Sequence, residues 1–254
     1  MDLDLPARRE VKHIAPRPPS VSPAKYSIVC LLAVPAVLAV SAWAMQHGPL
    51  DLVIAGKFFD VGSETFPWRS SAWLDVVGHQ TARALPIVIG VLALAAGAAS
   101  GALPALRPWR RVLFALGAAM ILGPLLIAAL KTTTSQHCPA QVSPFGGIVD
   151  YAMERDGPFF AHSRETAGHC LPSGHAGGGF ALLSLYFAGW AAGRPNWRWT
   201  GLAVGIAGGL LFSVVRMMQG AHFASATLWS ATLDWTVAAL VFMPLLCSSS
   251  RRPV

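Results

Sequence analysis

Four side chains in the C-terminal half carry charge or acid–base capability at the edges of otherwise apolar runs: Lys131, His175, Arg216 and His222. Lys131 ends one such run, His175 opens the next just after Ser173 and Gly174, Arg216 closes a third, and His222 precedes the last. Ionisable groups at membrane depth are costly, so they face a protein interior or a wet cavity and mark ligand paths. Two cations with no acid in their own motifs suit an anion, and arginine's planar fork fits a phosphoryl group. Ser173 and Gly174 add a hydroxyl and an amide at a helix start, where unpaired N–H groups and the helix dipole also favour negative charge. Phosphate is the expected ligand. Phosphoester cleavage needs an attacking group and a proton donor for the leaving oxygen, and two imidazoles supply both. The residues therefore predict His222 as nucleophile, His175 as general acid and a transient phosphohistidine released by water. Lys131, Arg216, Ser173 and the Gly174 N–H would bind the phosphoryl oxygens. This chemistry requires neither metal nor cofactor.

These residues are far apart in the chain, so the elements that carry them must bring their ends together. The 254 residues are 54% hydrophobic and only 12% charged, which lies outside the range of soluble domains and indicates a membrane protein. Apolar stretches close to the roughly 20 residues that cross a bilayer run from Tyr26 to Met45, Ala84 to Ala102, Val112 to Leu130, Pro172 to Ala192, Thr200 to Val215 and Thr227 to Cys247. The fifth is short, and its helix is expected to continue through Arg216 toward Gly220. The expected fold is all-α, a polytopic bundle of six transmembrane helices. Alternate crossings place Lys131, His175, Arg216 and His222 on one membrane face.

A net charge of +7 raises nucleic acid as a partner, but the positions of the basic residues exclude it. Arg8, Arg9, Lys12, Arg17 and Lys25 precede the first span, Arg107, Arg110 and Arg111 separate the second from the third, Arg194 and Arg198 separate the fourth from the fifth, and Arg251 and Arg252 close the chain. Six crossings put all four groups on one side, which the positive-inside rule makes cytoplasmic, with both termini there. Asp51, Asp60, Glu64, Asp75, Asp150, Glu154, Asp156 and Glu165 fall in the two longer segments on the other side. The phosphate site would then open on the periplasmic face of a bacterial inner membrane.

Residues 1–25 are polar and proline-bearing, lack a secretory cleavage pattern and are expected as a disordered cytoplasmic tail. Residues 26–247 form the single membrane domain, and 248–254 a second short tail. Asp51 to Asp60 is too short to span and is expected as an interfacial helix. The long segment from Lys131 to Leu171, with its prolines and glycines, is expected as an ordered extracytoplasmic loop or cap, because long loops in compact folds are usually functional.

Lys131 followed by Cys138-Pro139, then Pro172-Ser173-Gly174-His175, then Arg216 with His222 six residues later, resembles the type-2 phosphatidic acid phosphatases, the lipid phosphate phosphatases, in their bacterial membrane-bound form. The resemblance covers the third to sixth spans and implies a phosphatase acting on a membrane lipid phosphate or diphosphate: phosphatidate, phosphatidylglycerol phosphate, undecaprenyl diphosphate or a lipid A phosphate. Three positions depart from the family pattern. Cys138, preceded by His137, stands where the family has arginine, so one phosphate cation is missing or replaced. Val215 stands in place of serine. Ala226 stands where the family places the aspartate that orients the nucleophilic imidazole. Loss of such a carboxylate costs about 10⁴-fold in the serine-protease precedent, unless another group substitutes. Asp234, the one acid inside a span, lies roughly 18 Å along the helix from His222 and cannot do so. Asp150, Glu154 or Asp156 would have to fold over from the loop. Two alternatives therefore stand beside the hydrolase: a lipid phosphotransferase, in which a lipid hydroxyl takes the phosphoryl group, and a catalytically impaired lipid-phosphate binding protein.

The other polar residues have plainer readings. His79, His137, His162 and His169 read as solvated loop histidines before substrate contacts, and Asp234 is divided between a buried hydrogen-bonding role and a functional one. Gly177, Gly178 and Gly179 suit close helix packing. Trp68, Trp73 and Trp229 suit the interfacial belt. Cys138 and Cys170 fall outside the cytoplasm in this topology, near motifs that converge on the same phosphate; they are either bridged or two free thiols. Cys30 and Cys247 lie within spans.

Overall fold

The computed structural model describes residues 21–163 and 167–247. The tails expected at 1–25 and 248–254 lie outside it except for 21–25, as does Glu165; the side chains of His79 and Glu154 are likewise outside the described set. Among the described residues the chain is helical, with only isolated β-bridges. Lipid cannot hydrogen-bond to the backbone, so apolar runs of this length satisfy their peptide groups internally as helices.

Among the described residues five helices are long and apolar enough to cross a membrane: α1 (Pro23–His47), α3 (Ala82–Ala99), α4 (Pro104–Leu130), α8 (Pro195–Met218) and α9 (Ala224–Cys247). The short helices α2 (Leu50–Gly56) and α5 (Tyr151–Arg155) lie between them. Like the expected fifth span, α8 runs through Arg216 and stops at Met218.

The fourth expected span is helical but interrupted. It consists of α6 (Gly174–Phe180), a 3-10 turn (Ala181–Leu183) and α7 (Ser184–Ala191). Three consecutive glycines lower helix propensity by about 1 kcal/mol each relative to alanine. Packing offsets that loss, because this segment is the centre of the bundle and is buried along nearly its whole length between α3, α4, α8 and α9. A Cβ on Gly178 would lie 2.0 Å from the Ala82 carbonyl oxygen, and one on Gly179 2.5 Å from that of Gly208. Only hydrogen side chains let three backbones approach so closely.

Around this inner helix, α1 packs on α9 through two buried polar ties. The Tyr26 hydroxyl donates to the Ala239 carbonyl (2.7 Å) and the Trp235 indole to that of Cys30 (2.9 Å). The outer faces of α1, α3, α4 and α8 expose Leu32, Val37, Val40, Leu92, Leu125 and Leu211 to the surroundings, as a lipid-facing surface must.

One end of the bundle carries a cap with its own small core of Ala55, Phe66, Val142, Phe145, Tyr151 and Phe223. It joins α2, the connection 57–71 and the long loop after α4, and Phe223, the residue next to His222, ties it to the start of α9. The interfacial helix expected from Asp51 to Asp60 ends at Gly56 instead. Beyond it the chain turns back, because the Asp60 carboxylate accepts from the Gly62 N–H and the Ser63 hydroxyl, closing a bridge between Asp60 and Thr65. Asp51 and Ala55 are buried under the cap, so only part of α2 meets the surroundings.

Candidate functional site

Four helix ends meet beneath the cap. Lys131 is the C-cap residue of α4, Ser173 the N-cap of α6, Arg216 lies in the last turn of α8, and His222 sits two residues before α9. Gly220, at φ +64° against the Phe66 ring, forms the turn that reverses the chain between α8 and His222. The sequence-predicted set is brought together by that arrangement. The His175 and His222 rings lie 6.0 Å apart between centroids and are tilted by 48°. Both are buried. The charges of Lys131 and Arg216 act on His222, and those of Arg216 and Arg83 act on Lys131.

Ser173 is held from three directions. Its hydroxyl accepts from the Ala176 N–H (3.3 Å), capping α6, its N–H donates to the Ala226 carbonyl (3.2 Å), and its own carbonyl accepts from the Ser230 hydroxyl (2.9 Å). The start of the inner helix is thereby locked to α9. Gly174 begins α6 with open space where a Cβ would stand. On the other side, Arg216 donates through Nη1 to Gln219 (2.7 Å), while its Nε is buried without a partner among the described residues.

The partner of His222 is a backbone group. Its Nδ1 lies 3.0 Å from the Cys170 carbonyl oxygen. A carbonyl can only accept, so Nδ1 carries the proton and Nε2 keeps its lone pair. This supplies the orienting acceptor whose loss was inferred from Ala226. Asp150 and Asp156 do not supply it: Asp150 accepts from the Ala152 and Met153 N–H groups at the start of α5, and Asp156 pairs with Arg155 (2.9 Å). Burial, then the charges of Lys131, His175 and Arg216, hold the His222 imidazole well below its ordinary range, against the opposing hydrogen bond to Cys170. It is neutral at neutral pH. Burial, with Arg216 and Arg83 nearby, also lowers Lys131.

Cys138 and Cys170 are joined as a disulfide, with Cα atoms 5.2 Å apart. Its two ends are also held by backbone bonds, from the Cys170 N–H to Gln136 O (3.1 Å) and from the Ala140 N–H to Gly220 O (3.0 Å). The segment that contributes the carbonyl to His222 is thus fastened to the loop around Cys138. Of the remaining candidates, His137 lies partly buried beside Cys138, whereas His162 and His169 are exposed. Asp234 is buried against Gly123 and Gly177, and neither carboxyl oxygen has a hydrogen-bond partner among the described residues. Of its two readings, the hydrogen-bonding one finds no partner among those residues.

Three residues at this end were not assigned to the site from sequence. Asp51 on α2 accepts from the Ser225 N–H (2.9 Å), the Ser225 hydroxyl and the Ala224 N–H, so a carboxylate 1% exposed caps the N-terminus of α9 just past His222. Arg83, in the first turn of α3, extends the positive field to Lys131. Arg69, on the connection before α3, lines a cavity with Arg216 and Cys138. The available signal was that these arginines interrupt the acid-rich side of the chain.

A family model described as the PAP2 superfamily matches residues 112–244, from within α4 to the last turn of α9. Comparisons with curated proteins and with solved structures find no match.

Proposed function

This chain belongs to the PAP2 superfamily, whose members are phosphatases, and from that membership and the site's geometry we propose that it hydrolyses a lipid phosphate or diphosphate through phosphohistidine. The observation that carries the reading is the buried His222 with Nδ1 fixed on the Cys170 carbonyl, which leaves Nε2 as a nucleophile 6.0 Å, ring to ring, from a second imidazole. In the first step Nε2 attacks phosphorus, an N–P bond forms and the P–O bond to the leaving group breaks. His175 delivers a proton to the departing oxygen. Lys131, Arg216 and the Gly174 N–H stabilise the equatorial oxygens, and the Ser173 hydroxyl, while capping α6, can turn its own hydrogen toward them. Water then attacks the phosphohistidine, His175 takes its proton, and orthophosphate leaves.

A neutral His222 among cations is suited to this role. An imidazole that stays unprotonated needs no activating carboxylate to strip it, and the surrounding positive charge is neutralised by the incoming phosphate. The lipid-facing helices support a substrate presented from the bilayer. Arg107, Arg110 and Arg111 at the opposite end of α4, with Arg194 and Arg198 before and within α8, support a cytoplasmic position for that end and a periplasmic one for the site, in an inner membrane.

The test is purified protein in mixed micelles with phosphatidate and an isoprenyl diphosphate, followed by release of orthophosphate and by trapping of a ³²P label that survives alkali and is lost in acid. His222→Ala is expected to lower kcat by at least about 10⁴-fold and abolish the label. His175→Ala is expected to slow release of a poor alkoxide leaving group most. A His222→Ala protein that turns over normally overturns the assignment. Label passing to a lipid hydroxyl instead of water would make the protein a phosphotransferase.

A further inference from the structure

The connection 57–71 carries Arg69 over the site end of the bundle, where a cavity of about 320 Å³ opens between the cap and the end of α8. Its walls include Arg69, Cys138, Ala140, Gln141, Arg216 and Gln219, and the chain at Ala221, next to His222, forms part of its floor. Among the described residues no carboxylate lines it. Arg69 makes no side-chain hydrogen bond or ion pair among the described residues. Arg216 spends one nitrogen on Gln219 and keeps a buried Nε unpartnered. The acid whose charge reaches Arg216 is Asp75, which is not on the wall. Two guanidinium groups facing one cavity with no described carboxylate on its wall make an anion site.

This cavity is not the place where His222 and His175 act, since neither lines it. Arg216 joins the two, because its charge also reaches His222. At about 30 Å³ per water, the volume holds a phosphoryl group together with several waters. A ligand with two adjacent phosphates, one before His222 and one between Arg69 and Arg216, would use both sides of Arg216 at once.

We propose that Arg69 and Arg216 form a second anion subsite holding the phosphate that His222 does not attack, so that the protein is selective for lipid diphosphates over lipid monophosphates, with Arg69 as the specificity-determining residue. The inference rests on the phosphatase reading above. In the first step His222 Nε2 bonds to the terminal phosphorus and the bond from that phosphorus to the bridging oxygen breaks. The leaving group is the lipid monophosphate, whose new negative charge sits against Arg69 and Arg216. Such a leaving group needs less help from the proton of His175 than an alkoxide does. Hydrolysis of the phosphohistidine by water then completes the balance.

The experiment compares kcat/KM for an isoprenyl diphosphate and the isoprenyl monophosphate of the same chain, in the parent, Arg69→Ala and Arg69→Lys proteins. Arg69 is exposed and outside every packed core, so the variants are expected to fold. Arg69→Ala is expected to lower the diphosphate-to-monophosphate ratio about tenfold or more, and Arg69→Lys to restore part of it. An unchanged ratio overturns the subsite. In parallel, Kd values for methylenediphosphonate and orthophosphate are measured on the same proteins, because binding does not depend on turnover. The parent is expected to favour methylenediphosphonate by about tenfold or more and Arg69→Ala to lose that preference. Equal preferences in the two proteins overturn the subsite even if no lipid is cleaved. Absence of cleavage with the Kd preference intact removes the phosphatase reading and leaves the subsite standing.

Discussion

Replacing Asp51 with alanine removes one buried carboxylate and strands three donors: the Ala224 N–H, the Ser225 N–H and the Ser225 hydroxyl. Asp51 is 1% exposed and Ser225 0%, so water cannot take its place without opening the cap. Each unsatisfied buried group costs about 1–3 kcal/mol, and loss of a helix N-cap by itself about 0.5–2 kcal/mol. These losses overlap, and we expect about 3–5 kcal/mol for Asp51→Ala. In a chain of this size that lowers the unfolding midpoint by about 10 °C. Asp51→Asn keeps an acceptor for the backbone. Burial pushes the Asp51 carboxyl up, against three hydrogen bonds that pull it down, so a neutral amide is a close substitute and should cost within about 1 kcal/mol. Activity should follow the same order. The first turn of α9 anchors Ser173 through the Ala226 carbonyl and stands two residues from His222, so loosening it disturbs both the proposed phosphate cradle and the proposed nucleophile. Thermal melts in detergent, with kcat on a lipid phosphate, check this. If Asp51→Asn is as damaging as Asp51→Ala, charge at the helix terminus outweighs hydrogen-bond acceptance and the reasoning fails. If Asp51→Ala melts with the parent, the cap is not a structural tie.

Ala226→Asp should raise kcat less than about tenfold, because the Cys170 carbonyl already selects the His222 tautomer that a carboxylate would select; a gain near 10⁴-fold would show that the carbonyl does not substitute. Reduction of the protein, or Cys138→Ser, opens a link between residues 32 apart, expected to cost about 3–4 kcal/mol by loop entropy, and should lower kcat by freeing the Cys170 carbonyl; an unaltered melt and kcat with both thiols alkylated would contradict this. His222 lies well below the ordinary imidazole value, so NMR titration should find it neutral through pH 6.5. Because the unfolded imidazole binds its proton first, the stability linked to this group is complete above about pH 6.5 and is lost as pH falls toward the folded value. Titration of His222 at or above the ordinary value would refute the burial argument. Gly178→Ala drives a Cβ to 2.0 Å from the Ala82 oxygen and should leave little folded protein by size-exclusion chromatography, whereas Gly174→Ala, with open space at its Cβ, should fold normally.

Much of the architecture follows from local chemistry. A bilayer demands apolar runs of a set length, and the parity of crossings then places Lys131, Ser173, Arg216 and His222 at one end whatever the packing details. That is why the residues of the candidate site could be gathered from sequence before any contact was known. The inner helix was less predictable, because its interruption is permitted by glycine contacts with Ala82 and Gly208 that arise only when three helices meet. The same limit applies to the site's supports. The acceptor for His222 is a carbonyl, and every residue has one, so residue type cannot reveal which carbonyl arrives 3.0 Å from Nδ1. Asp51 and Arg69 come from segments outside the run 112–244 that carries the family pattern, and only folding of the cap brings them to α9 and Arg216. Span lengths and the order of ionisable residues are properties of the chain taken one stretch at a time; the partner of an imidazole and the second cation of a cavity depend on distances between stretches, which only the packed structure defines.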